Sequence, residues 1–140
     1  MEKVTELHLP NTLGSEKIAM EKVTSVAKSM GFKNERIEDL KTVIAEACTN
    51  AIEHGNKFDQ STTVGVFLTA NDSSLKILVR DHGNGIDPDK IPKTIITEEG
   101  FPTPNCRLGM YLISNLANEF FYENKPGIGN EVTMLFYLEN

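Results

Sequence analysis

The sequence contains no apolar run near the roughly 20 residues needed to span a bilayer, so no membrane-spanning role is expected. Cysteine is scarce. Cys48 and Cys106 are the two cysteines among 140 residues, far apart and without a CxxC or Cys/His ligand spacing, so neither a disulfide framework nor a structural zinc site is expected. Positive charge is also short: 14 Lys and Arg against 20 Asp and Glu leave a formal net charge of −6. A phosphate-binding surface normally carries a basic stripe, so direct contact with nucleic acid is not expected. Internal repeats, low-complexity tracts and long like-charge runs are absent as well. Residues 1–6 hold no apolar stretch of signal-peptide length, and a cytoplasmic protein is expected.

What is present suits one domain over residues 1–140, with 39% hydrophobic and 24% charged residues, enough to bury a single core. Residues 4–9 alternate imperfectly and stop at Pro10, which reads as a short edge strand. From Ser15, apolar Ile18, Val23, Val26, Ala27 and Met30 recur at helical spacing until Gly31 stops them. A second helix is expected from Asn34, with Ile37, Leu40, Val43, Ile44, Ala47, Cys48 and Ala51 as its stripe, ending near Gly55-Asn56. Residues 62–69 and 75–80 read as a hairpin around Asn71-Asp72-Ser73-Ser74. The proline-bearing stretch 83–107 reads as a long functional loop. Residues 108–116 resume helical spacing, and 120–123 with 132–138 read as two closing strands about Gly127 and Gly129. This order predicts an α/β fold, a two-layer sandwich with helices on one face of a mixed, mostly antiparallel sheet.

Three short motifs carry chemistry. Glu46 and Asn50 lie one helical turn apart at the edge of the apolar stripe, where they can point together into a polar pocket. A carboxylate beside an amide oxygen suits a hard cation such as Mg²⁺. Asp81-His82-Gly83-Asn84-Gly85-Ile86 follows a strand. Its glycines allow close approach of a ligand, and a buried Asp81 can accept a hydrogen bond from an exocyclic amine. Taken alone, the same residues also fit an Asn-Gly turn. Arg107-Leu108-Gly109-Met110 begins a helix whose free N–H groups suit phosphate oxygens. His54 and His82 flank these motifs and are expected to be hydrogen-bonded structural side chains.

In this order and spacing the motifs resemble the Bergerat-fold ATPases, which include gyrase, Hsp90, histidine kinases and MutL. The stretches Asn50-Ala51-Ile52-Glu53-His54-Gly55-Asn56, Gly85-Ile86-Asp87-Pro88 and Gly129-Asn130-Glu131-Val132 resemble the small anti-sigma-factor serine/threonine kinases within that superfamily. The resemblance implies ATP and Mg²⁺ as cofactors, Glu46 as the catalytic base and Asn50 as the Mg²⁺ ligand. It further implies Asp81 as acceptor for the adenine amine, with Gly83, Gly85 and Ile86 beside the base. Arg107, Leu108, Gly109 and Met110 would meet the phosphates, Thr133 would complete the nucleotide contacts, and residues 87–107 would form a lid. Implied partners are a sigma factor held inactive and an anti-sigma-factor antagonist that is phosphorylated; a homodimer is also implied. Cys106-Arg107 departs from the Gly-containing phosphate loop of the wider superfamily, and Asn130 stands where many of its members carry Thr. A non-catalytic switch module that binds nucleotide to set a protein-binding surface is the alternative reading. A partner of a histidine phosphotransfer domain, as in sensor kinases, is a third.

Overall fold

The structure, a computed structural model, describes residues 2–83 and 108–139. Five strands form its backbone: β1 (Lys3–Pro10), β2 (Thr63–Ala70), β3 (Ser74–Asp81), β4 (Glu119–Lys125) and β5 (Gly129–Tyr137). They lie in the order β1-β2-β3-β5-β4, and all four pairings are antiparallel. The expected two-layer α/β arrangement is present, with the sheet narrowed from mostly to wholly antiparallel among the described residues. Three helices, α1 (Glu16–Met30), α2 (Asn34–Asn50) and α3 (Leu108–Leu116), supply the second layer.

Strand alternation decides which side chains meet the helices. Val64, Val66 and Leu68 of β2, Leu75, Ile77 and Val79 of β3, and Val132, Met134 and Phe136 of β5 are buried. Their intervening neighbours Phe67, Leu78 and Thr133 are only half-buried, and Phe121 is exposed. From the helices come Ala19, Val23 and Ala27 of α1, spaced four apart, and Ile37, Leu40, Val43, Ile44, Ala47 and Cys48 of α2. At roughly 2 kcal/mol for each fully buried aliphatic side chain, this interlayer contact outweighs any surface ion pair. Cys48 is a core residue, as the helical stripe implies; its burial pushes the thiol up to about 12.

Helix ends follow the sequence signals in part. Gly31 ends α1 in the left-handed region at φ 96°, returning its N–H to the Ala27 carbonyl. Ser15 precedes α1 without making a side-chain cap, and the Glu16 carboxylate instead accepts from the Gly14 N–H at 2.7 Å. Lys33 is the residue before α2, and Asn34 is its first helical residue.

A second difference matters more for the site. The expected single helix down to Gly55 is instead α2 followed by a π-helical turn, Ala51–Gly55. The Asn56 N–H reaches back five residues to the Ala51 carbonyl at 2.7 Å, and the Phe58 N–H reaches the Ile52 carbonyl at 2.9 Å. Periodicity cannot register this one-residue widening. The wide turn closes through Lys57 and Phe58, both at positive φ, 51° and 60°. Asn11 holds this costly turn in place, donating to the Asp59 and Thr62 carbonyls at 2.6 and 2.8 Å.

Arg36 fixes the far end of the helical layer. Its guanidinium donates to the Leu116 carbonyl at 2.6 Å and to Asn118 Oδ1 at 2.9 Å, and lies 4.4 Å from the centre of the Phe136 ring. One planar fork thus joins the start of α2, the end of α3 and the sheet.

Candidate functional site

Asp81 is the last residue of β3, and alternation continues the buried series Leu75, Ile77, Val79 into it. A carboxylate therefore emerges on the helix side of the sheet, where only 8% of the residue is exposed. Asn130 ends the corresponding series on β5 and stands directly opposite Asp81 in the antiparallel register. Facing side chains at such positions are close enough to bond. Asn130 Nδ2 donates to Asp81 Oδ1 at 2.8 Å, and the Gly83 N–H donates to the same oxygen at 2.7 Å.

Glycines let the backbone close around this carboxylate. A Cβ on Gly55 would collide with the Asp81 carboxyl group, and one on Gly83 would stand 2.5 Å from the Gly55 carbonyl oxygen. Gly129 has φ +140°, and a Cβ there would collide with the Asp81 main-chain oxygen. The π-helical turn is what lowers Gly55 onto Asp81. Asn56, the next residue, locks that placement: Oδ1 accepts from the His82 N–H at 2.7 Å, while Nδ2 donates to Asn11 Oδ1 at 2.9 Å.

Burial pushes the Asp81 carboxyl above its ordinary range. The Gly83 N–H, the side chain and backbone N–H of Asn130 and the charge of His82 oppose that shift without cancelling it. Such a group is held at a desolvation cost that a ligand donor can offset, the usual mark of a functional position.

Around Asp81 lies a small open-mouthed cleft. Ala47, Asn50, Ala51, His54 and Gly55 line it from α2 and the π-helical turn, Met110 from α3, and Tyr122, Asn130 and Val132 from the closing strands. Ala47, Ala51, Met110 and Val132 make part of its lining apolar, and polar Asn50 and Asn130 stand with Asp81 in the same lining, the mixture usual for a small-ligand site. Asn50 Nδ2 is buried and has no hydrogen-bond partner among the described residues. A buried amide without a partner costs about 1–3 kcal/mol, and a ligand in the cleft would relieve it. Turning the amide over would present its oxygen in the same place, as a hard cation requires. Among the described residues no three His, Cys, Asp or Glu side chains gather as a metal site, so a cation at Asn50 would need the phosphates of a nucleotide to complete its shell. The residues present fit MgATP on these grounds.

Asn50, Asp81, Gly83 and Met110 of the sequence-derived set thus meet around one cleft, Gly83 through its bond to Asp81. Glu46 is half-buried one turn before Asn50 but does not line the cleft. Leu108 and Gly109 are the first residues of α3, the helix that carries Met110 to the cleft. Gly85, Ile86 and Arg107 lie outside the described residues, as does the expected lid. Thr133 requires correction: alternation along β5 turns it away from Asn130 and Val132, toward the opposite face beside Leu78 and Phe121. His54 does line the cleft, half-exposed, with Nε2 3.7 Å from the Glu53 carboxylate.

The chain matches the profile of the histidine kinase-like ATPase domain over residues 9–136. The chain belongs to that family. Among its relatives, serine-protein kinase RsbW of Bacillus subtilis is 32% identical, the match covering 83% of this chain and 74% of the relative. The RsbW of Bacillus cereus is 30% identical, covering 99% and 89%. The histidine kinase-like ATPase fold is also seen in a Mycobacterium tuberculosis protein with RsbU and RsbW domains, at TM-score 0.68 and 19% identity over 96% of this chain and 32% of that one. The SiaB–SiaC complex of Pseudomonas aeruginosa contains a further likeness, at TM-score 0.69 and 11% identity over 94% of this chain and 88% of that one. Both support the family's fold.

Asn130, Tyr122, Gly55 and Asn56 are site residues that lie outside the set the family resemblance implies. Asn130 is visible in the sequence as a departure in Gly-Asn-Glu-Val, and its place opposite Asp81 follows once the β3–β5 register is known. Asn56 closes the Asn50–Asn56 stretch, but its bonding role is not legible there, because its partners are 45 residues away at Asn11 and 26 away at His82.

Proposed function

We propose that the chain binds MgATP in the Asp81 cleft and transfers the γ-phosphate to a serine or threonine hydroxyl of an anti-sigma-factor antagonist. The observation that carries this reading is the caged Asp81 carboxylate, which offers a buried acceptor in a cleft lined in part by apolar Ala47, Ala51, Met110 and Val132. The adenine amine donates to it. Asn50 would hold Mg²⁺, which when bound would supply charge neutralisation at the phosphates. Gly109 and the first N–H groups of α3 face the phosphates. The antagonist hydroxyl oxygen attacks the γ-phosphorus, the bond to the β–γ bridging oxygen breaks, and the hydroxyl proton passes to the Glu46 carboxylate. Most of the rate enhancement then lies in positioning and charge neutralisation. Charge on the phosphorylated antagonist opposes its rebinding. The chain, acting as a homodimer in the cytoplasm, is then left to hold a sigma factor inactive.

Incubation with γ-labelled ATP and the purified antagonist tests transfer. Acid-stable label on serine or threonine is expected, with Glu46→Gln binding ATP normally but transferring none. The position of Glu46 outside the cleft lining favours one alternative, a switch that binds nucleotide without transfer. Nucleotide binding with an unlabelled antagonist would establish that alternative and end the kinase reading.

A further inference from the structure

We propose that Tyr122 is a positioning residue that gives the cleft its preference for a 6-amino over a 6-oxo purine, acting through Asn130 on Asp81. The proposal rests on the nucleotide reading above. Tyr122 belongs to β4 and points to the helix side by the same alternation that buries Phe120 against the core. Its hydroxyl donates to Asn130 Oδ1 at 2.7 Å, and Asn124 Nδ2 donates to the same oxygen at 2.7 Å.

Those two donors hold the Asn130 amide in place, and the ionised Asp81 carboxylate, which can only accept, sets which way round it stands. With Oδ1 occupied, Nδ2 faces Asp81 Oδ1 at 2.8 Å. The reverse orientation would set an amide oxygen against the Asp81 carboxylate, a repulsive contact in a buried setting. Asp81 is thereby presented as an acceptor whose Oδ1 is already bonded by Asn130 and Gly83. A 6-amino group supplies the donor that the remaining acceptor capacity requires. A 6-oxo group places an acceptor there and leaves the buried carboxylate unmatched, and sites of this kind reject such analogues strongly.

Removing the Tyr122 hydroxyl releases one of the two restraints. The other, Asn124, is exposed and holds less firmly. Asn130 is then free to swing its NH₂ toward the base and satisfy a 6-oxo group. The effect is specific to base choice, because neither Tyr122 nor Asn124 is among the residues assigned to the phosphates.

Equilibrium titration of the full chain with MgATP and with MgGTP tests this, using wild type, Tyr122→Phe and Asn124→Ala, with ligand-free melting recorded for each. Tyr122→Phe is expected to lower the ATP-to-GTP affinity ratio by roughly fivefold, the loss of about one net hydrogen bond. Asn124→Ala should lower it in the same sense by less. A ratio unchanged in Tyr122→Phe, or equal weakening toward both nucleotides, would mean a structural role only and overturn the proposal. Should Tyr122→Phe fail to fold, Asn124→Ala decides from its exposed position, and an unchanged ratio there overturns it too. A wild type that takes neither nucleotide defeats the nucleotide reading and this proposal with it. That outcome is distinct from a wild type that binds both with a ratio indifferent to Tyr122.

Discussion

The backbone of Gly55 lies so close to the carboxyl group of Asp81 that a Cβ added at Gly55 would collide with it. Gly55→Ala inserts a methyl group into that contact. The carboxylate, being a side-chain end, can retreat, at the expense of its bonds to Gly83 and Asn130. Nucleotide affinity is expected to fall at least tenfold with a melting temperature lowered by only a few degrees. Gly129→Ala should do the opposite. Its Cβ meets the Asp81 main chain, and its φ of +140° suits glycine alone, so about 3 kcal/mol of stability is expected to be lost. Parallel melting and titration of the two variants separates the cases. Equal loss of stability in both would contradict the distinction.

Asp81 has a stability cost that its function requires. Its folded pKa is raised by burial, so the folded state binds the proton more tightly than the unfolded chain does. Wild type therefore gains stability as pH falls through that raised pKa, and the gain is complete below the unfolded value. Asp81→Asn retains an oxygen for the Gly83 N–H and carries no charge. At neutral pH it should melt at or above the wild-type temperature while losing ATP binding. Its advantage should shrink as pH falls. A variant less stable than wild type at every pH would show that Asp81 serves the fold rather than the ligand.

The contrast between Asp81 and Thr133 indicates how far the sequence can be read. Asp81 ends a strand with regular alternation, so both its burial and its direction can be anticipated, whereas of the Glu46–Asn50 pair expected from helical spacing only Asn50 lines the cleft. Thr133 rests on likeness of motif alone, and a shift of one residue along a strand moves a side chain to the other face. Asn130 holds the position that Thr133 is expected to serve. The π-helical turn is hidden for a related reason: Ala51 and Ile52 are buried in either helix type, so the apolar pattern does not distinguish them. The Asn11–Asn56–His82 link joins segments distant in sequence and becomes visible only with the fold.

On the opposite face from Asp81, Glu131 accepts from Arg80 Nε at 2.7 Å and lies 3.0 Å from Lys125 Nζ. Burial opposes its ionisation, yet the bonds and charges of Lys125 and Arg80 prevail and its pKa is lowered. A depressed carboxylate stabilises the fold above its unfolded pKa and loses that contribution as pH falls through the folded value. Glu131→Gln should therefore melt below wild type at neutral pH, and the gap should close in acid, opposite in sign to Asp81→Asn. Because Arg80 and Glu131 pair in register next to Asp81 and Asn130, ATP affinity should also weaken modestly. A gap that persists unchanged below the carboxylate range would exclude the ion-pair account.

Asn50 presents the reverse arrangement, a residue that the folded chain leaves unsatisfied. Its Nδ2 is buried without a partner among the described residues, a burden of about 1–3 kcal/mol. Leucine has a similar size and no polar atoms to bury. Asn50→Leu should accordingly raise the ligand-free melting temperature or leave it unchanged, since the cleft wall of Ala47 and Ala51 beside it is already apolar. With the amide goes the one protein ligand assigned to Mg²⁺. Wild-type ATP affinity should increase on adding Mg²⁺, whereas the variant should bind ATP equally weakly with or without it. The thermal shift produced by saturating MgATP, which follows the logarithm of ligand over Kd, should fall to that of ATP alone. If the variant keeps the full Mg²⁺-dependent increment, the cation is held elsewhere and Asn50 is unsatisfied for some other reason.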